Sequence, residues 1–402
     1  MKKIILSAAS LAVAAVASVS VAPTTSEAVP AFARQTGAAC LNCHFGAIPR
    51  LAQMGREFRM NAFRDLAGDA IEDEHLSLPA AFNASLLMKA RIGMGSGDSE
   101  KGGAVGGFDT AVQWPDESAL LFGGRIGEHA GGFQEWDVIS GEMLGGKFAY
   151  VNDMDSGILA VALGTSDALG APSIFNDPSN AISRNTRGIQ SRTKALKGTL
   201  IHGAASGLGV YGYMSDSVYF ALGGLIPAGG YGAGNSGPEL NLGSYVRVAW
   251  LGNIAGFDSI IGAWSATAVE INPKANEDAA GAAYVAQADD NQSGVDLQFQ
   301  GEVGGNQLGI YAPITLEGVG DTGVSGFQLY ANYNLSHAAG VQLGYDSYAD
   351  DGKDWNQVIL GGWYDLAQNI AINVEVASWT DTPKTGAETK GTNTTIELEY
   401  VY

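Results

Sequence analysis

From residue 79 to the C-terminus, apolar and polar positions alternate with a period of two. Phe82, Ala84, Leu86, Met88, Ala90, Ile92 and Met94 are interleaved with Asn83, Ser85, Lys89 and Arg91, and only Leu87 breaks the series. Val295, Leu297 and Phe299 alternate with Asp296, Gln298 and Gln300, and Ile370, Ile372, Val374 and Val376 with Asn369, Asn373 and Glu375. A period of two places successive side chains on opposite faces of a strand. The alternating runs are about ten residues long, the length of a tilted membrane crossing, where soluble strands average about five or six.

Sixteen such strands can be read, near 82–94, 118–127, 132–139, 142–151, 156–165, 199–213, 217–226, 242–251, 257–270, 292–303, 306–317, 324–334, 338–348, 354–365, 368–379 and 392–402. Their connections alternate between long and short. The gaps 95–117, 166–198, 227–241, 271–291 and 380–391 are long, whereas 128–131, 152–155, 214–216, 252–256, 304–305, 335–337 and 366–367 are tight. An even strand count with long loops on one side and tight turns on the other predicts an all-β fold, an antiparallel outer-membrane β-barrel of sixteen strands. Trp114, Trp136, Trp250, Trp355, Trp363, Trp379, Tyr400 and Tyr402 fall near strand ends and suit interfacial girdles. Met88 and Met94 fall on the apolar, lipid-facing row of the first strand.

The N-terminus departs from this pattern. Met1-Lys2-Lys3 is a short basic stretch, Ile4 to Ala22 is apolar or small, and Ser26 and Ala28 form a cleavage-like site. Residues 1–28 therefore read as a secretory signal peptide. After residue 28 no run approaches the ~20 apolar residues of a membrane helix. Domain boundaries follow: 1–28 signal, 29–78 a short helical segment, 79–402 the barrel.

Composition narrows the function. Lys+Arg number 22 against 42 Asp+Glu, a formal charge of −20, which excludes a phosphate-facing nucleic-acid binder. Charged residues make up 16%, below the soluble average of about 25%, as expected when half of every strand faces lipid. Gly141-Glu142-Met143-Leu144-Gly145-Gly146-Lys147 approaches a phosphate loop, but Phe148 stands where Ser or Thr is required.

The chain has two cysteines, and both lie in Cys40-Leu41-Asn42-Cys43-His44. C-x-x-C-H is the attachment signature of a c-type haem. Two thiols on one helical turn can add to the two vinyl groups of one porphyrin edge, and the following imidazole reaches the iron from the same side. A thioredoxin-like site would need a surrounding βαβ pattern, and a zinc site would need further ligands. Cys40, Cys43 and His44 are therefore the expected holders of one covalent haem c, with His44 the proximal iron ligand. The distal ligand stays open among Met60, Met54 and His75. Leu51, Met54 and Phe58 share one helical face, so Met54 reads equally as packing, while Met60 lies off that stripe. His75 follows an acidic run that reads as a solvated loop. Arg50, Arg56, Arg59 and Arg64 are available for haem propionates or are exposed helix charges.

Pro30-Ala31-Phe32-Ala33-Arg34-Gln35-Thr36-Gly37, the C-x-x-C-H motif and Gly55-Arg56-Glu57-Phe58-Arg59 together resemble the fused monohaem cytochrome–porin family of iron-oxidising bacteria. The likeness spans roughly residues 29–65. The sequence departs from the family pattern at Phe45-Gly46-Ala47-Ile48-Pro49 and at Asn61-Ala62-Phe63, and the electron donor depends on that departure. The resemblance implies an N-terminal cytochrome in or beneath a 16-stranded outer-membrane barrel. It implies one-electron oxidation of extracellular Fe(II), or of another donor, with transfer to a periplasmic cytochrome or similar carrier. Asp98, Glu100, Asp109, Asp116, Glu117, Glu277, Asp278, Asp289, Asp290, Asp350, Asp351, Asp354 and Asp381 lie in or beside expected outer loops, where they could concentrate cations or serve solubility alone. Arg184, Arg187, Arg192, Lys194 and Lys197 oppose that trend, as a luminal constriction or a contact with lipopolysaccharide. Two other functions fit the same residues: a porin-like channel with a haem-bearing plug, and electron export to an extracellular acceptor.

Overall fold

A computed structural model describes residues 30–73, 76–80, 82–96, 110–166, 170–182, 205–227, 243–267, 291–319, 325–349, 352–367 and 369–402. The expected signal peptide, His75, and the basic residues between 184 and 197 lie outside these residues, as do Asp98, Glu100, Asp109, Glu277, Asp278, Asp289, Asp290, Asp350 and Asp351.

Among the described residues three short helices come first: α1 (Pro30–Thr36), α2 (Cys40–Cys43) and α3 (Gln53–Met60). A two-stranded antiparallel hairpin follows, β1 (Ala70–Asp73) and β2 (Leu76–Pro79), inside the stretch expected to be helical. Sixteen strands then form the barrel: β3 (Ala84–Ser96), β4 (Thr110–Gly127), β5 (Ala130–Asp137), β6 (Met143–Met154), β7 (Gly157–Ser166), β8 (Ala205–Met214), β9 (Val218–Pro227), β10 (Gly243–Ile254), β11 (Phe257–Thr267), β12 (Asn291–Val303), β13 (Asn306–Val319), β14 (Ser325–Asn334), β15 (Ala339–Ala349), β16 (Lys353–Ala367), β17 (Ile370–Pro383) and β18 (Thr389–Val401). Helix α4 (Gly170–Ile174) lies between β7 and β8. Each strand pairs antiparallel with its sequence neighbours, and β18 pairs with β3 from Val401↔Leu87 to Thr392↔Ser96, which closes the sheet.

The polarity of the two faces makes this a membrane barrel. Along β10, Tyr245, Arg247, Ala249 and Leu251 are buried inward, while Val246, Val248 and Trp250 point out and are exposed. Asp296 and Glu375 are fully buried, whereas Leu343 and Leu360 are 56% and 63% exposed. A soluble barrel has the opposite arrangement, and an apolar exterior around a polar interior suits lipid. Closure pairs the backbone groups that hydrocarbon cannot satisfy. Among the described residues no helix is long and apolar enough to cross a membrane.

The tight turns lie where expected. At Gly304–Gly305, φ is +63° and +81°. Left-handed values at both positions give the primed turn that matches strand twist, and glycine adopts them without strain. Several boundaries differ from expectation; β4 begins at Thr110 rather than 118, inside the expected loop 95–117. β17 and β18 extend to Pro383 and from Thr389, so the expected long loop 380–391 shrinks to 384–388. β5 and β6 join through 138–142, where Asp137 Oδ1 accepts hydrogen bonds from the Ile139 and Ser140 amides.

The girdle assignment needs correction for three tryptophans. Trp114, Trp136 and Trp250 are exposed outward, but Trp355, Trp363 and Trp379 are buried in the lumen. Strand parity is the reason. Trp355 and Trp363 share their row with Gln357 and Asp365, and Trp379 shares its row with Asn373 and Glu375. Met94 shares the exposed outward row with Ile92.

Candidate functional site

The N-terminal segment plugs the short-turn end of the lumen. Phe32 stacks on Phe63 at 5.1 Å and meets Phe58 edge-on at 5.2 Å, with Phe133 of the wall completing the cluster. Wall contacts run round the circumference. The Ala31 amide donates to Ser85 Oγ on β3, Tyr211 Oη on β8 donates to Met60 O, and Gln300 Nε2 on β12 donates to Leu51 O. Arg56 pairs with Asp258 on β11, and Arg64 with Asp153 on β6. Gly131 on β5 permits the closest approach, since a Cβ there would lie 1.9 Å from Ala62 O. A domain of this size cannot bury a large core by itself, and the barrel wall supplies the remainder.

A second segment enters from the opposite end. Residues 170–182, expected in a long outer loop, fold into the lumen and are all buried. Phe175 stacks on Tyr245 at 5.5 Å and lies against Gly223, where a Cβ would be 2.3 Å from its ring. Asp177 accepts from Arg247 Nε at 2.8 Å, Arg247 also binds Asp296, and all three side chains are fully buried. Burial pushes the Asp177 carboxyl upward, against the opposing pull of Arg247. Ser179 Oγ donates to Asp296 at 2.6 Å, and Asn180 reaches the plug backbone at Leu51. The sequence signal for this segment was available: between Gly170 and Ile182 Asp177 is the only charge, and Ile174, Phe175 and Ile182 are apolar.

Within the plug, Cys40 and Cys43 sit at the ends of α2, part-exposed and not joined in a disulfide. Burial, and secondarily Cys40, pushes the Cys43 thiol upward. The His44 amide donates to Cys40 O at 2.9 Å, and Gly55 of α3 packs so closely on α2 that a Cβ would lie 2.1 Å from Cys43 O. His44 Nδ1 lies 3.2 Å from Arg50 O. A carbonyl only accepts, so this bond puts the proton on Nδ1 and the lone pair on Nε2, the nitrogen that can bind a metal. Two thiols on one turn beside such an imidazole form a donor set that fits a c-type haem.

The other sequence candidates are placed differently from one another. Met60 is 1% exposed and borders a cavity of about 230 Å³ with Gln53, Glu57, Tyr213, Asp216 and Asp258. Met54 is 43% exposed and lies outside the packed face, whereas Phe58 is buried together with Gly55, Arg56, Arg59 and Met60. Arg50, Arg56, Arg59 and Arg64 are buried rather than exposed helix charges; Arg56 and Arg64 bond wall carboxylates and Arg50 stacks on Trp363. The described members of the acidic set are also paired: Asp116 with Arg91, Glu117 with Lys89, Asp354 with Lys384 and Asp381 with Lys353. Among the described residues no group of three or more His, Cys, Asp or Glu side chains is arranged to hold a metal ion by itself.

The fold is that of an outer-membrane barrel of the porin kind. The outer-membrane channel DcaP of Acinetobacter baumannii superposes with a TM-score of 0.52 at 12% identity, covering 80% of this chain and 96% of DcaP. OmpT of Vibrio cholerae (TM-score 0.46, 10% identity, 83% and 100% coverage) and a porin triple mutant from Rhodopseudomonas blastica (0.43, 15%, 79% and 100%) resemble it more loosely and add nothing to that assignment. At these identities the likeness concerns the fold alone. No protein-family model matches the sequence, and no curated protein matches it.

Proposed function

We propose that this protein is a porin-like outer-membrane barrel whose luminal plug carries one c-type haem and passes electrons across the membrane. The observation that carries this reading is the His44 Nδ1 bond to Arg50 O, which leaves Nε2 as the lone-pair nitrogen directly after two cysteines not joined in a disulfide. Cys40 and Cys43 would hold the porphyrin, His44 would be the proximal ligand, and Met60, already inside the plug, is the better placed of the methionines. When bound, the haem supplies reversible one-electron chemistry. Arg56 and Arg64 fasten the plug that would hold it to the barrel wall through Asp258 and Asp153.

The finer reading takes the resemblance to cytochrome–porin fusions at its word: extracellular Fe(II) is the donor and a soluble periplasmic carrier the acceptor. It is tested by adding ferrous iron to purified protein. Reduction of the haem supports the reading, and a haem that stays oxidised removes iron as the donor.

A solute channel gated by the plug is the second reading, favoured by the fold shared with the channel DcaP. Liposome swelling separates the two. A conduit sealed by plug and inward loop excludes sugars, whereas a channel admits them.

A further inference from the structure

Trp363 lies on the inward row of β16 and is 5% exposed. Its cross-strand partner on β15 is Gly340, and the indole packs close against it: a Cβ at Gly340 would fall 2.1 Å from the ring. With one side of the ring held against the wall, the plug meets the indole through Arg50. The Arg50 guanidinium carbon sits 4.8 Å from the ring centroid, and Arg50 is fully buried. A desolvated cation over tryptophan is among the stronger side-chain contacts.

Arg50 also closes the loop that begins at His44. Its carbonyl accepts from the Phe45 amide at 2.9 Å and from His44 Nδ1 at 3.2 Å, and its Nε donates to Phe45 O at 3.3 Å. The backbone that fixes the imidazole is therefore the backbone of the residue whose side chain is fastened to the wall. A hydrogen bond at the second ring nitrogen sets the tautomer, the ring orientation and the donor strength of the first.

We propose that Trp363 is a positioning residue for His44: stacked on Gly340 and gripping Arg50, it holds the carbonyl that keeps the His44 proton on Nδ1. The consequence for a metal at Nε2 rests on the haem reading above. The tautomer itself does not.

The chain has five histidines, so selective ¹⁵N-histidine labelling of the full-length, dithionite-reduced protein resolves His44. In wild type the Nδ1 proton should exchange slowly with water. In Trp363→Leu exchange should be faster by about tenfold or more, while Trp363→Phe, which keeps a π face, stays near wild type. Gly340→Ala displaces the ring from the wall side and should reproduce Trp363→Leu. Exchange as slow in Trp363→Leu as in wild type, in protein that keeps its folded-barrel gel mobility, would overturn the proposal. In haem-loaded protein at fixed potential, Trp363→Leu should raise the reduced-to-oxidised ratio by about threefold or more, because a less basic imidazole stabilises ferric iron less. An unchanged ratio counts against the proposal. A haem assay before the titration separates the outcomes: missing haem defeats the haem reading, and the exchange rates still decide the role of Trp363.

Discussion

Asn180 and the backbone of Leu51 hold each other by two hydrogen bonds: Leu51 N donates to Asn180 Oδ1 at 2.9 Å, and Asn180 Nδ2 donates to Leu51 O at 2.9 Å. The two residues enter the lumen from opposite ends of the barrel, one on the inward loop and one on the plug. Asn180 is itself fully buried, and its amide donates to Gln298 on the wall at 2.8 Å. Asn180→Ala would leave the Leu51 amide without its acceptor, at a cost of about 1–3 kcal/mol, while Leu51 O keeps its bonds from Gln300 and Arg56. Hydrogen exchange should rise across residues 45–52 and leave the β12–β18 amides unchanged.

Arg247 is the only described cation between Asp177 and Asp296. Arg247→Met leaves two buried carboxylates without their partner and should cost about 3–5 kcal/mol. The pH dependence has a fixed sign. Burial already raises Asp177 above its unfolded value, and loss of Arg247 raises it further. A raised carboxyl contributes stability below its unfolded pKa and loses it as pH rises through the folded pKa. The deficit of the variant, measured as loss of loop protection, should therefore grow as pH rises above the ordinary carboxylate range.

Gly131 controls how closely the plug approaches the wall. Gly131→Ala places a methyl against Ala62 O, and overpacking of this kind costs about 1–3 kcal/mol. The barrel strands can form without the plug in place, so the expected phenotype is a folded barrel with raised ion conductance in planar bilayers.

Met60 and Met54 should separate clearly. Met60→Ala empties a fully buried site and should destabilise the plug by about 2–5 kcal/mol, while Met54→Ala, at an exposed position, should change stability by less than about 0.5 kcal/mol. Thermal release of the plug, followed by tryptophan fluorescence, measures both.

Much of the barrel was legible because each strand answers to two solvents. Lipid selects Val246, Val248 and Trp250, and the lumen selects Arg247, so the period appears in the residues themselves. The direction of Trp363 and Trp379 was legible too, from their parity with Asp365 and Glu375, and reading them by position near strand ends assigned the wrong face. The paired charges were not legible. Arg56 and Asp258 are 202 residues apart, and nothing local to either announces the other. The inward fold of residues 170–182 depends on contacts with Tyr219, Tyr245 and Asp296 that exist only once the barrel closes. At the haem motif, spacing identifies Cys40, Cys43 and His44, but the carbonyl that orients His44 comes from Arg50, whose placement depends on Trp363 far along the chain.

The central claim is that Cys40, Cys43 and His44 hold a covalent haem inside this barrel. The most direct measurement is a pyridine haemochrome spectrum of the detergent-extracted, purified protein, with its intact mass, for wild type and for Cys40→Ala/Cys43→Ala. The account predicts one haem per wild-type chain, retained through denaturation, and none on the double variant, which still folds as a barrel. A wild-type chain from cells competent in haem attachment that carries two free thiols and no haem band would contradict it.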